Sequence, residues 1–392
     1  MSQRPAATDG EQQFSAGPPQ GKSAPPGLEP AAQSLPAQAW TGDRGEASRE
    51  PRPARPRAAH AVASVGAILQ VRGLTTHFAT RTGIAKAVDG VSFDVHAGEI
   101  VGLVGELGSG KSVTGYSILG LVDPPGRIVG GSVKLDGQEL LGMPRSQLRA
   151  LRGRRIAMVF QDPMSTLNPV LKVSEQMRLA MLAHGRPGAA QMQQRAVEAL
   201  AKVGIPDPER RLEAYPHELS GGMRQRVAIA IAFLNQPGLV ICDEPTTALD
   251  VSIQAQILIE MKTLARQEGI GLVWISHDLA TVSVLASRLL VMYAGRLIEE
   301  GAIAEVLRRP RHPYTQGLID SLPTRAAPGS DLAQIPGSTP SLTSLPSGCA
   351  FRNRCGYASD ACASAPAQTV EDGRTWRCHH PLHRGEAAMA NA

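Results

Sequence analysis

The chain has 392 residues, with 40 Lys and Arg against 35 Asp and Glu, for a formal charge of +5. At roughly 100 to 200 residues per domain, that length allows two or three units. Hydrophobic residues make up 42% and charged ones 19%, enough apolar material for a core, which excludes a chain disordered throughout. So small a surplus of positive charge, spread over this length, gives no argument for a nucleic-acid partner.

Residues 1–65 hold ten of the 30 prolines, with Ala, Gly, Ser and Gln between them and no hydrophobic period. Such a stretch buries too little apolar surface to offset ordering its backbone, and a disordered Pro/Ala-rich tail is expected. Its basic run 49–57, REPRPARPR, reads as a solvated segment; contact with anionic lipid or nucleic acid is the competing reading. The N-terminus lacks the apolar core of a signal peptide, and no apolar run reaches the ~18 to 20 residues of a membrane span. A protein kept in the cytoplasm is expected.

From residue 67 the text becomes short β-branched runs alternating with amphipathic stretches. Segments 68–71, 91–95, 100–104, 156–160, 239–242 and 272–275 predict strands, and 112–121, 189–203, 221–234 and 253–267 predict helices. Interleaved in this way they imply an α/β sheet covered on its faces. Residues 324–348, rich in Pro, Ser and Gly, read as a linker into a segment holding four of the five cysteines, Cys349, Cys355, Cys362 and Cys378. In a reducing compartment, clustered thiols point to metal ligation before disulfides. The fifth, Cys242, lies within a strand.

Residues 105–112 read GELGSGKS, between an apolar strand and a helix. This is the phosphate-loop pattern in its proper context. Gly105, Gly108, Ser109, Gly110 and Val113 offer backbone amides that curl around phosphate oxygens at a helix N-terminus. Lys111 is expected to reach the β- and γ-phosphates, and Ser112 to bind Mg²⁺. The apolar run 239–242 ends in Asp243 and Glu244. Two acids at the carboxyl end of a buried strand face the nucleotide, Asp243 as a Mg²⁺ partner and Glu244 as acceptor of the water's proton.

The stretch LSGGMRQR, 219–226, then decides the family: the sequence resembles the ATP-binding subunits of ABC transporters over about residues 67–325. VFQDP (159–163), ALD (248–250) and ISHDL (275–279) follow that family's motif order. The resemblance implies an ABC-type P-loop ATPase fold, a mixed sheet core plus a helical subdomain at about 162–235, with a small Cys-rich C-terminal extension. It implies domains at 66–323 and 324–392. Ser220, Gly221 and Gly222 would form a second anion site that closes over the partner's phosphate loop, supported by Asp250. Gln161 would bind Mg²⁺ or orient the water, His277 would contact the γ-phosphate, and Phe78 would stack on adenine; a half-buried core Phe is the alternative for the last.

FQDPMSTLNP (160–169), RHPYTQGLIDSLP (311–323) and IPGSTPSL (335–342) are similar to the dipeptide, oligopeptide or nickel importer ATPases within that family. Peptide uptake across the inner membrane is the implied function, with a nickel or other small-solute importer, or a soluble ATPase acting on nucleic acid, as alternatives. The implied partners are a second homologous ATPase in a heterodimer, two transmembrane permeases and an extracytoplasmic solute-binding protein, with no nucleic acid. The implied location is peripheral, on the cytoplasmic face. The four cysteines, separated by five, six and fifteen residues, lack the close pair common in structural zinc sites. Their spacing resembles the cluster-binding extension of these importers, so a 4Fe-4S centre is expected, with Zn²⁺ as the alternative.

Overall fold

In the computed structural model, which describes residues 66–383 except Ala248 and Pro328, the chain builds two sheets. The expected tail 1–65, its basic run 49–57 and residues 384–392 lie outside the described residues. The first sheet is antiparallel, in the order β2-β1-β4-β5, from β1 (Leu69–Thr80), β2 (Gly83–Val95), β4 (Gly126–Leu135) and β5 (Gln138–Glu139). A tight turn at 81–82 closes the β1–β2 hairpin, with Thr80 opposite Gly83. Alternate positions of these strands face inward, and Leu69, Val71, Val91, Phe93 and Val133 form one core.

The second sheet runs β11-β12-β10-β9-β3-β8-β7-β6. Its centre is parallel: β3 (Ile100–Val104), β6 (Ile156–Val159), β7 (Leu239–Asp243), β8 (Gly271–Ser276) and β9 (Arg288–Tyr293). Every residue of β3, β7 and β8 is buried. That is why these strands read as continuous apolar runs rather than as alternating ones. Because β3, β6, β7 and β8 point the same way, the loops after them gather at one edge, where open α/β sheets bind ligands. Cys242 packs wholly inside β7, and burial raises its thiol pKa, so it serves packing rather than chemistry.

Helix α1 (Lys111–Leu119) follows β3, and α2 (Arg145–Leu151) precedes β6. Between β6 and β7 the chain is helical: α3 (Pro163–Thr166), α4 (Val173–Leu182), α5 (Ala189–Lys202), α6 (Pro208–Leu212) and α7 (Gly221–Phe233). Helix α5 buries only Ala196 and Leu200, one stripe of a 14-residue amphipathic helix. Truncating Leu200, fully buried, to Ala should cost about 2–5 kcal/mol. Helix α8 (Val251–Glu268) leads to β8, and α9 (Leu279–Leu285) links β8 to β9.

Beyond β10 (Arg296–Ala302), α10 (Ile303–Arg308) and α11 (Pro313–Asp320), the C-terminal segment rejoins the main sheet. Its strand β12 (Arg374–Trp376) adds antiparallel to β10, with Trp376 opposite Glu299, and β11 (Thr369–Glu371) pairs antiparallel with β12. A buried ion pair, Arg374 to Glu299 at 2.7 Å, locks that join. Among its described residues the segment 324–348 forms no strand or long helix, and it lies against the body of the protein. Ile335 fills the space beside Gly317, and the Pro336 carbonyl accepts a hydrogen bond from Arg354 at 2.8 Å. Composition foretold the irregular backbone but not its packing.

Candidate active site at the strand ends

The loop between β3 and α1 needs glycine at two points. Gly105 (φ 155°) and Gly110 (φ 104°) adopt backbone angles that side chains rarely take, and a Cβ on either would stand 2.1 Å from a carbonyl oxygen, that of Met292 or Ala87. Gly108 faces open space. Ser109 is wholly buried, and its hydroxyl has no hydrogen-bond partner. Lys111 folds back onto the loop, donating to the carbonyls of Gly105 at 2.8 Å and Glu106 at 3.0 Å. Burial pushes its pKa down, opposed by the charges of Glu244, Asp243 and Glu106. Val113 sits one residue further along α1, half-buried.

Ser112 donates to Asp243 Oδ1 at 2.8 Å. Burial raises the Asp243 pKa, and the neighbouring Glu244 charge adds to the rise. Two acids side by side in a buried setting call for a cation to offset them. Sequence reasoning missed Tyr116, which also hydrogen-bonds Asp243 and stacks on Phe160, with ring centroids 6.4 Å apart. The signal was available, since Tyr116 lies one helical turn beyond Ser112.

Glu244 is the hub of the site. Its Oε2 lies 3.0 Å from His277 Nδ1 and accepts bonds from Thr247 Oγ1 at 3.2 Å and Gln161 Nε2 at 3.3 Å. Residues from three different strand ends thus converge on one oxygen. Glu244 is also a non-glycine residue with φ 46°, backbone strain of the kind found at functional sites. Its amide, bonded to the Ile275 carbonyl at 2.9 Å, holds it there. Thr247 is the second residue missed, although a hydroxyl three positions beyond the acid is a visible cue.

Other expected site residues stand apart from this hub. Phe78 is half-buried in β1, and its ring covers Gly126, where a Cβ would come within 2.6 Å of it. Ser220 caps α7 by accepting the Met223 amide at 3.3 Å, and Ser220 and Gly221 are exposed, with Gly222 half-buried against Ile253. Asp250 is exposed at the N-terminus of α8, and Ala248 of the same motif lies outside the described residues. An open, mostly apolar cavity of about 410 Å³ lies between β6 and helices α4 and α7, lined by Met158, Phe160, Leu167, Ala183 and Ile231. Exposed apolar side chains of Met164, Val170 and Leu179 belong to the neighbouring segments.

The four C-terminal cysteines are free thiols near one another. Burial raises the pKa of Cys349, of Cys355 and of Cys378, the last to about 12, and their neighbours' negative charge adds to each rise. Backbone amides aim at three of the sulfurs: Phe351 and Arg352 at Cys349, Tyr357 at Cys355, His380 at Cys378. A donor set of crowded thiols with amides turned toward them suits a cationic group bound as thiolates. Among the described residues, however, no three His, Cys, Asp or Glu side chains are grouped so as to hold a metal ion.

Parallel strands ending on a glycine loop, a lysine folded onto that loop and a carboxylate hub opposite it make this an ATPase of the P-loop class. Residues 88–247 match the ABC transporter family and residues 298–362 the oligopeptide/dipeptide transporter C-terminal region. The dipeptide transport ATP-binding protein DppD of Escherichia coli (strain K12) is 46% identical over 81% of this chain and 97% of its own length. The oligopeptide transport ATP-binding protein OppD of the same organism is 43% identical over 81% and 94%. Among solved structures, the dimeric post-hydrolysis state of the ATP-binding cassette MJ0796, bound to ADP and Pi, is similar with a TM-score of 0.55. It is 27% identical and covers 60% of this chain and 98% of its own. The chain belongs to the ABC transporter family, as an ATP-binding subunit that carries the oligopeptide/dipeptide transporter C-terminal region. Among the described residues no helix is long and apolar enough to cross a membrane.

Proposed function

We propose that this chain hydrolyses ATP to drive uptake of di- or oligopeptides across the bacterial inner membrane, working as a peripheral subunit on the cytoplasmic face. The observation that carries the catalytic part is the convergence of Gln161, Thr247 and His277 on Glu244 Oε2. Relatives named for dipeptide and oligopeptide transport, matched over nearly their whole length, support the cargo class.

The phosphates of ATP would lie on the amides from Gly105 to Val113, with Lys111 released from the Gly105 and Glu106 carbonyls to the β- and γ-phosphates. Ser112, Gln161 and Asp243 would hold Mg²⁺, which when bound offsets phosphate charge. Glu244 takes a proton from water as the water oxygen bonds to the γ-phosphorus, and the bond from that phosphorus to the bridging oxygen of ADP breaks. His277 holds the carboxylate and reaches the γ-phosphate. Phe78 offers its ring to adenine.

Ser220, Gly221 and Gly222 would complete the site of a second, homologous subunit in a heterodimer, with Asp250 beside them, and that subunit would complete this one. The cavity beside Gln161, with its apolar rim, would seat one of two permeases, so that closure and reopening of the dimer reaches the membrane. An extracytoplasmic binding protein would choose the cargo. Cys349, Cys355, Cys362 and Cys378 would hold a 4Fe-4S cluster. Zn²⁺ is the alternative occupant of the same four thiols.

The test is reconstitution of the chain with its partner ATPase and permeases in vesicles. Peptide-loaded binding protein should stimulate ATP hydrolysis and drive labelled peptide inward. Hydrolysis indifferent to peptide, with salt-sensitive nucleic-acid binding and no membrane partner, would overturn the reading.

A further inference from the structure

The C-terminal segment converges on one residue of the phosphate loop. Arg354 donates from Nη1 and Nη2 to the two carboxylate oxygens of Glu106, at 2.6 and 2.8 Å. Thr339 Oγ1 adds a third bond to that carboxylate at 2.8 Å, and Tyr314 Oη accepts the Glu106 amide at 2.8 Å. Arg354 is itself fixed. Its Nε donates to the Pro336 carbonyl, its Nη1 to Tyr293 Oη at 3.3 Å, and its guanidinium lies 5.8 Å from the Phe351 ring centroid. The Arg354 side chain is only 6% exposed and that of Glu106 26%, so the planar fork meets the carboxylate in a largely screened setting, where such bidentate pairs gain strength.

We propose that Arg354 is a positioning residue for nucleotide: through Glu106 it holds the phosphate loop in its binding shape, so that the cysteine-bearing segment sets the affinity of the loop for ATP. This rests on reading that loop as the ATP phosphate site. The Glu106 carbonyl is one of the two that hold Lys111. A shift of Glu106 therefore carries Lys111 and the loop amides with it, and a misplacement of this kind is costly wherever charge must be met by preset donors.

The pair is not needed to attach the segment. The β10–β12 pairing, the Arg374–Glu299 ion pair and the packing of Phe351 between Tyr293 and Tyr314, with centroids at 5.3 and 5.4 Å, hold it independently. Glu106→Gln thus separates the two roles. It weakens the pair while leaving the other attachments in place.

The experiment measures binding of ATP and ADP by calorimetry on the full chain, and kcat and KM on the assembled transporter, for Glu106→Gln, Arg354→Met and the double variant. Each single variant should weaken ATP binding roughly tenfold, the scale of one lost charge-assisted pair. The double should be no weaker than either single beyond about twofold, because both remove the same interaction. KM should rise with kcat nearly unchanged, and Arg354→Lys should recover part of the loss. If Arg354→Met fails to fold, Glu106→Gln at an unchanged melting temperature still decides. Unchanged affinity in Glu106→Gln, or losses that add in the double, would overturn the clamp while leaving ATP binding intact. A wild-type chain that binds ATP no better than Lys111→Ala would instead overturn the ATP reading, and the clamp with it.

Discussion

The two helix N-termini proposed above as anion sites are finished differently. At α1 the glycine loop is walled by β9, β2 and the C-terminal segment, Lys111 lies folded on the loop, and acids stand opposite. At α7, Ser220 and Gly221 face solvent, and the buried charge of that helix, Arg226, is occupied elsewhere by Glu260 at 2.7 Å. One end is a site nearly complete within the chain. The other would be half a site, with, among the described residues, no cation or acid bonded at it. Under the proposed function, such a surface takes a phosphate brought by another molecule.

The sharpest way to break this contrast is to remove chemistry from the complete end. Glu244→Gln should lower ATP turnover of the assembled transporter by roughly a thousandfold while leaving ATP affinity within a factor of two. Turnover near wild type would show that the proton goes elsewhere. A change at the open end should behave oppositely in the isolated chain: Ser220→Arg should leave its ATP affinity untouched, yet cut turnover of the dimer by roughly a hundredfold. Equal loss of binding in the isolated chain would mean that both ends serve one nucleotide.

Smaller effects test the walls. If the four cysteines hold the proposed cluster, wild-type protein purified anaerobically carries iron and acid-labile sulfide, and Cys378→Ser should halve or abolish both with ATP affinity still measurable; metal content equal to wild type would remove Cys378 from the proposed ligand set. His312 is wholly buried, its Nδ1 accepts the Tyr314 amide at 3.0 Å, and burial pushes its pKa down to about 3 from 6.5. The unfolded chain therefore binds more protons between those values, and stability that is full above pH 6.5 is lost as the pH falls toward 3. Between pH 7.5 and 5.5 the wild type should lose about 1 kcal/mol more than His312→Asn, read from urea midpoints. Glu299, which accepts the His312 amide and whose own pKa burial raises, works in the opposite direction. The difference between variant and wild type isolates the histidine.

The central strands were legible because β3, β7 and β8 are buried on both faces and so must be apolar throughout. The glycine loop was legible because its angles exclude other residues, and Asp243, Glu244 and His277 because each ends such a strand. Strands β9 and β10 went unassigned, as did β4, whose Gly130 and Gly131 interrupt its period. The bond between Glu106 and Arg354 joins residues 248 positions apart. Neither side chain carries any local mark of its partner, since a charge constrains no neighbour in sequence. Thr339 was hidden for a related reason: irregular segments have no period from which a direction could be inferred.

The pairing of β12 onto β10 bears on how the chain is made. Until residues 374–376 emerge from the ribosome, the edge of β10 away from β9 presents unpaired amides and carbonyls at Glu299 and Glu300, an invitation to strands of other chains. The final cover is slight. β12 has three residues and β11, the new border of the sheet, has three, all exposed. A border so short offers little to a neighbouring molecule, whereas a chain ending before residue 369 would leave Glu299 and Glu300 unpaired on the outer edge of β10 and should aggregate more readily during synthesis.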